Sequence, residues 1–118
     1  MVDPVDAAAF LGTFLVLAGY LAVTAHVAAR NVLGDVRADR ALLVGPVPAA
    51  VSMVGQGLEV FPLVVLAAAV IADLGAIRRS YDEDWRLSAY VTFIHVVFTT
   101  ILSTVIGGLL ILASGAPG

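Results

Sequence analysis

The sequence predicts an all-α integral membrane protein, a four-helix bundle that forms a single transmembrane domain over residues 1–118. Hydrophobic residues make up 61% of the chain, and the mean hydropathy is +1.05. A soluble domain needs more polar surface than this composition supplies. The apolar residues also form long runs, which suit spans of about 20 residues. The predicted spans are residues 7–29, 41–54, 58–77 and 87–113.

The basic residues predict the topology. All of them are arginines, and they lie in two clusters between the predicted spans. Basic residues collect in the short loops that stay in the cytoplasm, so we expect both clusters to be cytoplasmic. The prediction is a multi-pass protein of the cell membrane, N-out and C-out. The clusters are Arg30, Arg37 and Arg40, and Arg78, Arg79 and Arg86.

The first helix has a recognisable start. Asp3 can cap it, Pro4 suits its first turn, and Asp6 lies near its positive end. A cleaved signal peptide would carry a basic residue before its apolar stretch, whereas acids stand there in this chain. We therefore expect the helix to be retained.

The apolar stretch of residues 41–77 is too long for one span. A single crossing would also place the two arginine clusters on opposite sides, so a hairpin of two helices is predicted. Asp39 can cap its first arm, Gly55–Gly57 is the expected turn, and Pro62 suits the start of the second arm. The segment Gly45–Pro48 contains two prolines and predicts a kink covered by neighbouring helices. A re-entrant loop is the alternative to the hairpin.

The fourth run carries a polar stripe on one helical face. Trp85 precedes the run at the expected headgroup level, and the helix-stopping residues 114–118 follow it. The stripe is interpreted as hydrogen bonding between helices or back to the same helix, with a proton or ion track as the alternative. Its members are Ser88, Thr92, His95, Thr99 and Ser103.

Asp73 is the only acid within the apolar part of a span. It should be neutralised, reach the interface, or pair with an arginine or histidine of another helix. We expect a pair that locks the bundle, with a proton relay to His95 as the alternative. His26, on a line with Gly12 and Gly19, is interpreted as an interface histidine, and His95 lies deeper. The predicted intramembrane polar network is His26, Asp73, His95, Thr92, Thr99 and Ser103.

Several function classes have no support in the sequence. The chain has no cysteine, which excludes thiolate metal sites and a cysteine nucleophile. A net charge of −3 gives no reason to expect a nucleic-acid partner. No protease, lipase or phosphate-loop motif occurs. A haem held by His26 and His95 would require helices offset enough to bring both to one iron. No catalytic, cofactor-binding or metal site is predicted.

The leading prediction is a non-enzymatic structural or interaction protein, or an accessory subunit. Its expected partners are the lipid bilayer and copies of itself or other membrane subunits. The alternative is a proton-linked or small-solute transport element that uses His95, Asp73 and the polar face of the fourth helix. A haem or quinone redox protein ranks third.

Three features of the chain support a resemblance. They are the segments His26–Asp35 and Val44–Pro48, and the order of Asp73, the Ala-Ile-Arg triplet 76–78, and His95. In these features, and in its preference for Arg over Lys, the chain resembles small uncharacterised four-helix membrane proteins of halophilic archaea. The resemblance covers nearly the whole chain and implies no activity.

Overall fold

The computed structural model describes residues 3–115, and the fold within that range is built from helices without strands. This confirms the predicted all-α class. The second and third helices are separated only by Gly45 and form one kinked arm, so four rods make up the bundle. The first and fourth helices each contact both the kinked arm and the fifth helix. The helices are α1 (Pro4–Leu33), α2 (Ala38–Val44), α3 (Pro46–Gly57), α4 (Pro62–Tyr81) and α5 (Trp85–Gly115).

The start of α1 follows the predicted capping pattern. The Asp3 carboxylate accepts a hydrogen bond of 2.9 Å from the backbone N–H of Val5, and Pro4 occupies the first turn. The helix ends at Gly34, whose φ of 86° is a conformation that favours glycine. With 30 residues, α1 is longer than the predicted span 7–29 and extends for about 45 Å.

The predicted kink lies between α2 and α3. Pro46 and Pro48 have no backbone N–H, so the helical hydrogen bonding is interrupted there. A Cβ atom on Gly45 would lie 2.6 Å from the backbone nitrogen of Ala22, and it would also overlap the carbonyl oxygen of Ala18. The glycine therefore permits the kinked arm to touch the backbone of α1.

The first arm begins before the predicted residue 41, which changes the role of Asp39. The helix starts at Ala38, and Arg37 occupies the cap position without a side-chain capping bond. Asp39 therefore lies inside the first turn, where its carboxylate is 2.6 Å from the Arg37 guanidinium. An acid in a first turn still interacts favourably with the positive helix end.

The turn between the hairpin arms lies at residues 58–61, beyond the predicted Gly55–Gly57. α3 continues to Gly57 because glycine allows close helix contact, and a Cβ on Gly55 would lie 2.8 Å from the side chain of Val65. The chain reverses after it, with Glu59 at φ 57°. Phe61 is extended, as expected for a residue before proline, and α4 then begins at Pro62. Whether the arms span fully or re-enter stays a prediction.

The two arginine clusters lie at the same end of the bundle. Arg40 donates a hydrogen bond of 2.9 Å to the carbonyl oxygen of Ser80, and the Ser80 hydroxyl donates one of 2.7 Å to the Arg40 carbonyl. The Arg78 guanidinium lies 4.4 Å from the centroid of the Trp85 ring. The start of the kinked arm, the end of α4 and the start of α5 therefore meet at one end.

The fifth helix is slightly longer than the predicted span 87–113. It runs from Trp85 to Gly115, so Ser114 and Gly115 of the expected stop are still helical. Residues 116–118 of that stop lie outside the described residues. At 31 residues, α5 extends for about 46 Å.

Large and small side chains are arranged in the opposite way to those of a soluble helical bundle, with large ones on the outer surface and small ones inside. Large aliphatic side chains point outward, as shown by Leu15 at 60%, Val16 at 74% and Ile111 at 72% exposure. The interior is filled mainly by alanine, which lets helices approach closely. By length and apolar composition, α1 and α5 could each cross a membrane. The main buried cluster is Ala25, Ala28, Ala29, Ala41, Val44, Ile77 and Val91.

Candidate functional site

Asp73 lies on the inward face of α4. That face repeats every three to four residues and includes Val65, Ala69 and Ile77, all of them buried. The helical period thus places the carboxylate inside the bundle, where Asp73 is 3% exposed. A carboxylate at such a position requires hydrogen-bonding partners.

The partner of Asp73 is His95 of α5. The Nδ1 atom of His95 lies 2.5 Å from Oδ2 of Asp73, and His95 is also 3% exposed. The structure therefore joins Asp73 to a histidine of another helix, one of the partners expected from the sequence. Among the described residues, the salt bridges join Arg37 to Asp39 and His95 to Asp73, and no arginine reaches Asp73.

Thr24 of α1 completes the site. Its hydroxyl oxygen lies 2.8 Å from Nε2 of His95 and 3.1 Å from the carbonyl oxygen of Leu21, and Thr24 is fully buried. The sequence prediction did not include this residue. Its spacing of four from Tyr20, which places two hydroxyl groups on one face of an apolar helix, was the available signal.

Two proton arrangements fit these heavy-atom positions. In the first arrangement, the Thr24 hydroxyl donates to the Leu21 carbonyl and accepts from Nε2–H of His95. A second proton then lies between Nδ1 of His95 and Oδ2 of Asp73, and the Asp73–His95 pair holds its full set of protons. If the hydroxyl instead donates to Nε2, the imidazole is neutral and Asp73 is a carboxylate. The arrangements differ by one proton. Rotation of one hydroxyl therefore lets the site accommodate either arrangement without movement of a helix.

A second contact between α1 and α5 lies one to two turns farther from the arginine end. The hydroxyls of Tyr20 and Ser103 are 2.8 Å apart, and the Tyr20 hydroxyl is 3.5 Å from the carbonyl oxygen of Thr99. Thr92 does not reach another helix, because its hydroxyl donates to the Ser88 carbonyl at 2.8 Å. The predicted stripe thus combines contacts between helices with bonding to its own backbone.

His26 does not join the network. It is half-buried on α1, and its Nδ1 atom is buried without a hydrogen-bond partner among the described residues. His95, in contrast, uses both ring nitrogens in hydrogen bonds. Neither nitrogen is free to bind iron in this arrangement, so the geometry does not support a haem held by the two histidines. The described residues also contain no group of three or more metal-binding side chains.

A cavity of about 160 Å³ adjoins the Asp73–His95 pair. Two buried oxygens, Oδ1 of Asp73 and Oγ1 of Thr99, belong to residues of its wall and have no hydrogen-bond partner among the described residues. An unpaired buried polar atom is costly, so the site has unused capacity for a hydrogen-bond donor. Its polar wall is Ser52, Asp73, His95, Thr99 and Thr100, and its apolar wall is Leu21, Pro48, Leu66, Ala69, Val70 and Val96.

Comparison with known proteins identifies one family. Residues 4–117 match the model described as a family of unknown function (DUF7473). No curated protein and no solved structure matches the chain. The match agrees with the expectation of an uncharacterised family and brings no activity with it.

Proposed function

We propose that this chain, which belongs to the DUF7473 family of unknown function, is a multi-pass protein of the cell membrane that binds and transfers protons at Asp73 and His95. The observation that carries the proposal is the 2.5 Å contact between these ionisable side chains, beside a cavity lined by α1, α3, α4 and α5. Ionisable groups within membrane spans mark proton and substrate pathways by default. In this role the protein is a proton-linked transport element and not an enzyme.

The outer surface supports insertion into a bilayer. Exposed leucine, isoleucine, valine and phenylalanine side chains occur along α1, α4 and α5. Soluble monomers rarely expose contiguous apolar patches of more than a few hundred Å². The arginine end of the bundle would face the cytoplasm, with both chain ends and the 58–61 turn outside. α4, with 20 residues, extends for about 30 Å, the thickness of a hydrocarbon core.

Polar side chains toward both ends of the bundle support a proton path. On the arginine side, the hydroxyls of Ser88 and Tyr81 are buried and have no partner among the described residues. On the other side, Thr99 is followed by the linked hydroxyls of Tyr20 and Ser103. From Ser88 to Ser103 the path would cover about 22 Å along α5. The Asp73–His95 pair lies between these groups.

A structural role is the second candidate function. The chain of hydrogen bonds from Thr24 through His95 to Asp73 ties together α1, α5 and α4, as a bundle-locking pair would. Nothing packs within 4 Å of a Cβ placed on Gly12 or Gly19. A second copy or another subunit could approach α1 there. Under this reading the protein is an accessory or self-associating subunit without proton flux.

Proton flux in liposomes separates the two candidates. The purified protein is reconstituted with an entrapped pH-sensitive dye, and a pH gradient or a membrane potential is imposed. We expect Asp73-dependent flux in the wild type, and flux at the level of protein-free vesicles for Asp73→Asn, because an amide cannot exchange a proton near neutral pH. Asp39→Asn is the matched control, since its carboxylate lies on the surface at the arginine end.

The folding of each variant is checked by circular dichroism. Wild-type flux equal to that of protein-free vesicles under every gradient would reject the proton-transfer proposal and leave the structural candidate. Equal loss of flux in Asp39→Asn and Asp73→Asn would also contradict it, because the effect would not belong to the buried pair.

A further inference from the structure

We infer that the cavity beside Asp73 binds a small primary amine in its protonated form, in exchange for one proton of the Asp73–His95 pair. This inference rests on the proposed function, because it names the solute class that proton transfer would drive. Three properties of the site carry it: the shape of the cavity, its unpaired oxygens and its exchangeable charge.

The cavity has room for a short organic molecule. Its volume of about 160 Å³ corresponds to about ten water-sized spheres. Most of its wall is aliphatic and includes Leu21, Leu66 and Val96. Small-molecule sites have this character, with apolar walls and a few polar groups that fix the orientation. The walls therefore favour a ligand with a short apolar body.

The polar groups of the cavity favour a donor with several N–H bonds. Asp73 Oδ1 and Thr99 Oγ1 both lack a partner among the described residues, and both can accept a hydrogen bond. A primary ammonium group carries three N–H donors, which suits a site with more than one unpaired acceptor. An alkali metal ion would find one carboxylate, a few hydroxyls and aliphatic side chains, which leaves its oxygen shell incomplete.

The protonated amine and the proton compete for the Asp73–His95 pair because both are positively charged. Asp73 and His95 are the titratable groups among the residues that line the cavity. The facing groups of α1 and α3 are the hydroxyls of Thr24 and Ser52, which carry no charge. The charged group of α2 nearest to α4, Arg40, is held at Ser80, about two turns from Asp73.

Competition follows from these surroundings. While the pair holds its full set of protons it is neutral, and a cation gains little there. After the pair loses a proton, the Asp73 carboxylate is uncompensated and attracts a cation. One proton therefore leaves for each ammonium group that enters.

Binding of ethylammonium chloride to the full chain in detergent micelles tests the inference. Calorimetry measures the affinity, and a dye in weakly buffered solution measures released protons. We expect one proton per bound amine, and an affinity that rises tenfold per pH unit while the pair still holds its proton and the amine stays protonated. Asp73→Asn should bind at least tenfold more weakly, because it removes the charge.

Matched variants test whether the amine enters this cavity. Ala69 is 8% exposed and lines the cavity, so Ala69→Leu should fill the space and weaken binding at least tenfold. Ala67 lies on the exposed face of the same helix, and Ala67→Leu should bind as the wild type does. Equal affinities of the two variants would overturn the assignment of the site.

Alternative probes test the ligand chemistry. Tetramethylammonium has the charge without N–H donors, potassium has the charge without an apolar body, and ethanol has a donor without a charge. Each should bind more weakly than ethylammonium. Binding of any of the three with equal affinity, or binding of ethylammonium without proton release, would overturn the inference.

The failures of the two proposals are distinguishable. Proton flux that depends on Asp73, combined with no detectable amine binding, would reject the amine site and leave the proton-transfer function in place. Absence of Asp73-dependent flux in liposomes, with or without amine, would reject the proposed function itself. Amine binding without flux would identify a binding site that does not drive transport.

Discussion

Replacement of Asp73 by asparagine should destabilise the bundle much less than replacement by alanine. The Asn oxygen can still accept a hydrogen bond from Nδ1–H of a neutral His95, whereas alanine removes the acceptor. His95 is 3% exposed, so bulk water is a poor substitute partner for its ring nitrogen. Alanine also enlarges the adjoining cavity of about 160 Å³.

The magnitude follows from the burial of the pair. Removing one partner of a buried charged pair costs about 3 to 5 kcal/mol in soluble proteins. Hydrogen bonds between membrane helices contribute less, about 0.6 kcal/mol on average and about 1.7 kcal/mol at most. Because the alanine variant adds cavity volume to the lost bond, we expect about 3 kcal/mol for Asp73→Ala. For Asp73→Asn, which keeps one neutral bond, we expect about 1 kcal/mol.

The assay is reversible unfolding of the purified chain in mixed micelles, followed by circular dichroism as the denaturing detergent is increased. The predicted difference of about 2 kcal/mol corresponds to a factor of about 30 in the folding equilibrium. In a His95→Ala background, Asp73→Asn and Asp73→Ala should become much closer in stability, because the bond that separates them is absent. Equal stabilities of the two variants in the presence of His95 would refute the reasoning.

Three further predictions concern the kink, the hydroxyl of the site and the topology. Gly45→Ala should destabilise the bundle by about 1 to 3 kcal/mol, because its Cβ meets the backbone of α1, while Gly57→Ala, with open space around it, should unfold at nearly the wild-type midpoint. Thr24→Val should cost about 1 kcal/mol in the same assay and slow proton flux, since the imidazole loses its second hydrogen bond. Cysteine at Ser114 should react with an impermeant thiol reagent in intact cells and cysteine at Asp35 should not; the reverse pattern would invert the orientation.

Local signals in the sequence predicted the starts of α1 and α4 and the kink. Asp3, Pro4 and Pro62 act through their own backbone chemistry, which does not depend on distant residues. The position of the hairpin turn required more information. The sequence predicts Gly55 as a turn residue, but its lack of a side chain serves contact with Val65 of α4. Glycine suits both a turn and a close contact between helices, and only the position of the neighbouring helix shows which of the two applies.

The individual polar residues of the site were easier to predict from the sequence than the contacts between them. Helical periodicity places Asp73 and His95 on definite faces, yet the relative axial position of two helices decides which faces meet. By that reasoning, Arg30 and His26 of α1 were as available to Asp73 as His95. Thr24 was missed because most hydroxyls in apolar helices bond to their own backbone, and Thr24 also does so through Leu21.

The distance along the chain between Asp73 and His95 bears on how the protein would be made. They are 22 residues apart, so Asp73 emerges from the ribosome before His95 does. During that interval, a bilayer would contain a carboxylate with no imidazole beside it, which disfavours deep insertion of α4. Stable insertion of α4 would therefore await arrival of α5, and truncation before His95 should yield a chain whose hairpin remains accessible to protease.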